Sequence, residues 1–146
     1  MLIDSGPRDQ RPAQALPHYG LIYRSEPLAQ ELTIAGAVSV TLHVESDCPD
    51  TDFVAKLIEL HPDGSAMLLM DGVVRALYRD GPGAGARPLE PGRVCQVNLS
   101  LAHIHHTVRK GHRLEVDVTS SNFPRRARNT NRSEEHTSEL QSPYVI

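Results

Sequence analysis

Between Ala37 and Ser46, apolar Val38, Val40, Leu42 and Val44 alternate with Ser39, Thr41, His43 and Glu45. A strand turns successive side chains to opposite faces, so strict alternation buries one face and wets the other. The same period recurs at Leu114, Val116 and Val118 against Arg113, Glu115, Asp117 and Thr119. It is less clean in Val94 to Leu99, where Cys95, Val97 and Leu99 share a face. Phe53 to Leu60 is apolar on both faces apart from Lys56 and Glu59, which predicts a strand placed centrally in a sheet. Shorter strands are expected at 20–24, 31–34, 66–70 and 73–79, and no segment carries a helical period with caps.

Turn chemistry falls between these runs. His61-Pro62-Asp63-Gly64 places Pro and Gly where a tight hairpin needs a fixed φ and then a positive one. Asp71-Gly72 reads as a two-residue turn or a bulge, and residues 80–92 as a Gly/Pro-rich surface loop. About eight short strands at this spacing predict an all-β fold, a jelly-roll β-sandwich.

The last fifteen residues, RSEEHTSELQSPYVI, resemble something other than a folding segment. Arg132 to Ser142 looks like a common short-read library adapter translated in frame, with Pro143 to Val145 over its variable index and Ile146 opening the next constant segment. Leftovers of this kind are set apart before fold reasoning. The expected organisation is a partial jelly-roll domain over 1–131, truncated at its C-terminal end, and an artefactual, disordered tail over 132–146. A sandwich missing its final strands leaves ladder N–H and C=O groups unpaired, so the chain alone is expected to be poorly soluble or oligomeric.

Charge and composition narrow the partners. Setting the tail aside, with Arg132 against Glu134, Glu135 and Glu139, moves the formal net charge from −3 to −1. A near-neutral chain offers no electrostatic footprint for nucleic acid or an anionic membrane surface, and neither partner is expected. No apolar run approaches the roughly 18 residues of a membrane span. The start, MLIDSGPRDQRP, has no basic n-region and no apolar h-region, so it does not read as a signal peptide. The compartment stays open, with the cytoplasm favoured. Cys48 and Cys95 do not make a disulfide framework and are read as free thiols.

Residues able to carry chemistry are few. No G-x-S-x-G occurs, and Ser39, Ser65 and Ser100 fall in strand or turn contexts. No glycine-rich loop enters a helix, so phosphate and dinucleotide binding are unsupported. His103, His105, His106 and His112 lie within ten residues, and His103 and His105 would share one strand face. Alternate histidines can hold Zn or Fe when further ligands follow at suitable spacing. Here the nearest acid is Glu115, across the Lys110-Gly111 turn, so these imidazoles are expected to be solvated on a loop or edge. Asp47, Asp50 and Asp52 flank Pro49 and could offer oxygens to Ca²⁺, but turn-making is the plainer role for Asp there. Arg125, Arg126 and Arg128 after Pro124 read as a solvated loop rather than a grip on an acidic surface. No catalytic, cofactor-binding or metal-ligating residue and no cofactor are therefore assigned.

Five segments together resemble a known family: GPRDQRP at 6–12, LIYRSEPLAQELTIAG at 21–36, SDCPDTDFVAKLIELHPDG at 46–64, DGVVRALYR at 71–79 and GHRLEVDVTSSNFPRRARN at 111–129. In this order and spacing they look like the C-terminal, non-catalytic domain of X-Pro dipeptidyl-peptidase and cocaine-esterase-type (CocE/NonD) hydrolases. The resemblance covers about 5–131. It implies a galactose-binding-like jelly roll packed on an α/β-hydrolase domain of the same parent chain, with a homodimer of the parent left open. It also implies that the Ser, His and Asp of catalysis lie upstream, so that none maps onto this chain and His112 is not the triad base. The chain departs from the family at LAHIHHTVRKGH, 101–112, where an apolar segment is usual. The function so implied is an accessory sandwich of a serine hydrolase active as a dipeptidyl-peptidase or ester hydrolase. A free-standing carbohydrate- or ligand-binding jelly roll is the alternative. It fits less well, because stacking platforms use exposed aromatics and this chain has no Trp, four Tyr and two Phe.

Overall fold

The alternating runs pair as antiparallel strands in two sheets. The computed structural model describes residues 9–17 and 19–120. Along the chain come α1 (Arg11–Gln14), β1 (Leu21–Arg24), β2 (Leu32–Val44), β3 (Asp52–Leu60), β4 (Ala66–Arg75), a 3-10 turn (Ala76–Tyr78), β5 (Cys95–Val108) and β6 (Arg113–Thr119). One sheet has the order β1-β6-β3-β4 and the other pairs β2 with β5. This is an all-β sandwich, the class that the period-two pattern predicts. Its core lies between the sheets, where Val44, Phe53, Ala55, Leu57, Val97, Leu99 and Leu101 pack together. Burial of each large apolar side chain there stabilises the fold by about 1.5–3 kcal/mol.

Strand β3 is central, as its two apolar faces require, flanked by β4 and β6. Phe53, Ala55 and Leu57 point into the core, while Val54, Lys56 and Ile58 are buried on the outer face. The N-terminal segment is tied to this sheet beside them. Asp9 bridges to Met67, the Gln10 amide donates to the Ala66 carbonyl at 2.7 Å, and Lys56 Nζ donates to Gln10 Oε1 at 3.1 Å. The short helix α1 follows, with Pro12 in its first turn where a missing N–H costs nothing.

Several expectations need correction. Six strands are present among the described residues rather than about eight, because three are longer than the pattern suggests. Segments 31–34 and 37–46 merge into β2, and 94–99 extends to Val108, absorbing the histidine-rich stretch. Segments 66–70 and 73–79 join in β4, which ends at Arg75. Asp71-Gly72 is thus mid-strand and makes no turn. The reason is steric: a Cβ at Gly72 would fall 2.5 Å from the Ser100 carbonyl oxygen and 2.7 Å from a Leu101 methyl. Glycine marks the place where β4 and β5 touch across the sandwich. The His61–Gly64 turn does close the β3–β4 hairpin, with the His61 amide donating to the Ser65 carbonyl at 2.9 Å.

Two bulges interrupt the ladders. Opposite Leu57 and Ile58 stand Met70 and Leu68, leaving Leu69 as the extra residue of β4. Opposite Val38 and Ser39 stand Ala102 and Ser100, leaving Leu101 extra in β5, with Ala102 at φ 81°. A bulge shifts side-chain parity by one. Val97, Leu99 and Leu101 are buried before it, whereas Ile104, His106 and Val108 are the more enclosed residues after it.

Candidate functional site

One end of the sandwich holds a carboxylate among imidazoles. Glu59 belongs to the core-facing set of β3 and is 5% exposed, an arrangement that a lone carboxylate would not survive without partners. Two histidines supply them. His106, turned inward by the β5 bulge, places Nε2 2.7 Å from Glu59 Oε2, and His112 places Nδ1 2.6 Å from Oε1. Burial works against ionisation of Glu59, but the contacts from His106 and His112 outweigh it and hold the carboxyl below its usual value. His61, from the β3–β4 turn, stands with Nε2 4.0 Å from Oε2, and its ring lies 4.6 Å from that of His112 at 40°.

The backbone fixes these side chains. The His112 amide donates to the Arg109 carbonyl, while the Leu28 amide donates to the His112 carbonyl at 2.8 Å. His61 is fixed by the hairpin, in which Asp63 accepts from the Ser65 amide at 2.8 Å. A His–Glu pair alone performs no acyl transfer. The hydroxyls of Ser25, Ser46 and Ser65 bond to backbone groups or to Asp63, and none of these bonds reaches an imidazole.

The other candidates separate. His103 and His105 share a face, as their spacing predicts, and that face is exposed. Glu115 lies on the outer face of the four-stranded sheet, fully buried, where it accepts from Arg24 Nε and from Gln14 Nε2. It is therefore no partner for these histidines. Beside it, Asp117 accepts from Tyr19 at 2.8 Å and Gln14 at 2.9 Å. Burial, with the neighbouring Glu115 charge, raises the Asp117 pKa despite those two bonds, and burial raises that of Tyr19.

Among the three loop aspartates, Asp50 is buried and spent on structure. Oδ2 accepts from Arg75 Nε at 2.7 Å and Oδ1 from the Leu77 amide at 3.0 Å. Asp47 is exposed and accepts from the Cys48 thiol, and Asp52 starts β3 opposite Arg75. Cys48 and Cys95 are both free. Arg125, Arg126 and Arg128 and the tail 132–146 lie outside the described residues.

Sequence reasoning singled out His106 and His112 but missed Glu59 and His61 as their companions. The legible signal was Glu59 itself, a carboxylate in an otherwise apolar strand. What it met depended on the sandwich closing.

Comparison with known proteins bears on what this domain is. A family model described as the X-Pro dipeptidyl-peptidase C-terminal non-catalytic domain matches residues 9–143. That span includes 132–143, and the adapter reading of the tail rests on its own residues alone. The cocaine esterase of Rhodococcus sp. (strain MB1 Bresler) is 40% identical over 128 residues, which cover 88% of this chain and 22% of that protein. An α-amino acid ester hydrolase structure superposes with a TM-score of 0.80 at 31% identity, covering 87% of this chain and 22% of that one. An aminopeptidase from the marine sediment archaeon Thaumarchaeota archaeon gives a TM-score of 0.78 at 31% identity, with the same coverage. The chain thus spans 22% of the length of these relatives. With family model, sequence relative and sandwich in agreement, the chain belongs to the X-Pro dipeptidyl-peptidase C-terminal non-catalytic domain family, a domain of CocE/NonD-type hydrolases.

Proposed function

We propose that this chain is the accessory C-terminal sandwich of a serine α/β-hydrolase whose catalytic domain belongs to the same parent polypeptide. The sandwich supports that domain and does no chemistry itself. The observation that carries this reading is 40% identity to a cocaine esterase of which the chain spans only 22%. The parent reaction is read at the level of ester or X-Pro peptide hydrolysis by serine attack. Strand β1 supports a docking role, since it leaves Leu21, Ile22 and Tyr23 exposed at a sheet edge. Apolar surface concentrated in this way is the kind that an interdomain face of several hundred Å² covers.

The test is a graft. Replacing the corresponding domain of the Rhodococcus cocaine esterase with this chain should return a soluble enzyme that hydrolyses its ester substrate. The ungrafted chain should leave p-nitrophenyl acetate at the buffer rate. Enzyme-like turnover by the isolated chain would overturn the proposal, as would a folded graft whose catalytic domain melts no higher than it does with the domain deleted.

A further inference from the structure

Hydrogen bonding accounts for two of the three imidazoles around Glu59. His106 and His112 take one carboxylate oxygen each. His61 is surplus to that arrangement: its Nε2, 4.0 Å from Oε2, is out of hydrogen-bonding reach yet stands beside the same group, with its ring against that of His112. The ligand atoms of Glu59, His61 and His112 all fall within 4.8 Å of one another. Ligands around a tetrahedral zinc at about 2.0–2.2 Å stand roughly 3.3 Å apart. Side-chain adjustments of about an ångström would therefore bring all three onto one ion.

We propose that this end of the sandwich binds one zinc-class divalent cation, ligated by Glu59, His61 and His112, with a water in the fourth position. Two imidazoles and one carboxylate suit a borderline-soft ion and argue against Ca²⁺ or Mg²⁺, which favour shells of oxygen. His106 is the positioning residue. It holds Glu59 Oε2 and so orients the carboxylate, the outer-shell role that metal sites commonly assign to a hydrogen-bonded neighbour. Access exists, since the His61 and His106 side chains are each 35% exposed while that of Glu59 is 7% exposed. The cation would clip the β3–β4 hairpin to the β5–β6 connection, joining segments about fifty positions apart. This inference is independent of the parent's reaction.

The full chain, stripped with chelator, would be titrated with Zn²⁺ by calorimetry and with Co²⁺ by visible absorption. One equivalent of Zn²⁺, a tetrahedral Co²⁺ spectrum and a melting temperature that climbs with zinc are expected. His112→Ala and His61→Phe should each abolish saturable binding; the second keeps a ring against His112 and removes only the nitrogen. His106→Ala should weaken binding about 10–100-fold, and His106→Gln, which keeps an N–H for Oε2, should recover most of it. His103→Ala and His105→Ala, on the exposed face, should change nothing. Circular dichroism identifies any variant that fails to fold. Absence of saturable binding by the folded wild-type chain would overturn the proposal, as would binding that a folded His61→Phe variant retains or loss of binding on changing His103 or His105.

Discussion

Asp117 is fully enclosed on the outer face of the four-stranded sheet, and its Oδ1 meets no hydrogen-bond partner among the described residues. Burial first, and then the Glu115 charge, push its pKa up. The sign of the consequence follows from linkage. A carboxyl whose folded pKa exceeds its unfolded value favours the folded state when protonated. Ionised Asp117 is therefore a cost at neutral pH, relieved as pH falls through the raised value. Asp117→Asn should melt at a higher temperature than wild type near pH 7, with the advantage shrinking toward about pH 4. Scanning fluorimetry across that range checks this, and parallel curves for the two proteins would contradict it. Lys56 and Glu59 show what single residues disclose beforehand. Each stood out as a charge in an apolar strand, which marks a buried polar cluster. Neither revealed that one serves the outer face and the other the core side, because that depends on which elements cover each face.

Elements were legible where one face is wet and obscure where backbones meet. The alternation of β2 and β6 and the double apolar face of β3 follow from water's preference for polar side chains. Asp71-Gly72 misled because glycine meets two different demands, a turn's positive φ or a close backbone approach, and sequence does not separate them. A test of the close-approach reading follows. Gly72→Ala should destabilise the sandwich by about 1–3 kcal/mol through overpacking against Ser100 and Leu101. Gly83→Ala, in open space, should stay within about 0.5 kcal/mol. Urea denaturation of both variants measures the difference, and equal midpoints would refute the inter-sheet contact. The β5 bulge was hidden for a related reason. Ala102 sits at a positive φ that an alanine does not announce, so the inward turn of His106 was invisible until β2 and β5 paired.

At the scale of the molecule, the exposed feature is the outer edge at β1. It pairs only with β6 and leaves Leu21 38%, Ile22 38% and Tyr23 52% exposed. Edges with apolar side chains recruit other strands unless charge or a covering element intervenes. The isolated chain should therefore self-associate in gel filtration. Tyr23→Lys should shift it toward monomer while changing stability by no more than about 0.5 kcal/mol. An unchanged elution volume for a folded Tyr23→Lys variant would place the association elsewhere.

The extra residue in β5 has a genetic corollary. Removing the single codon for Ala102 would re-phase everything downstream to the strand's end. His103 and His105 would then swing toward the carboxylate, and Ile104 and His106 would be cast out into water. Within this architecture, the identity of the imidazoles that greet Glu59 hangs on a three-nucleotide indel rather than on any substitution of the histidines themselves.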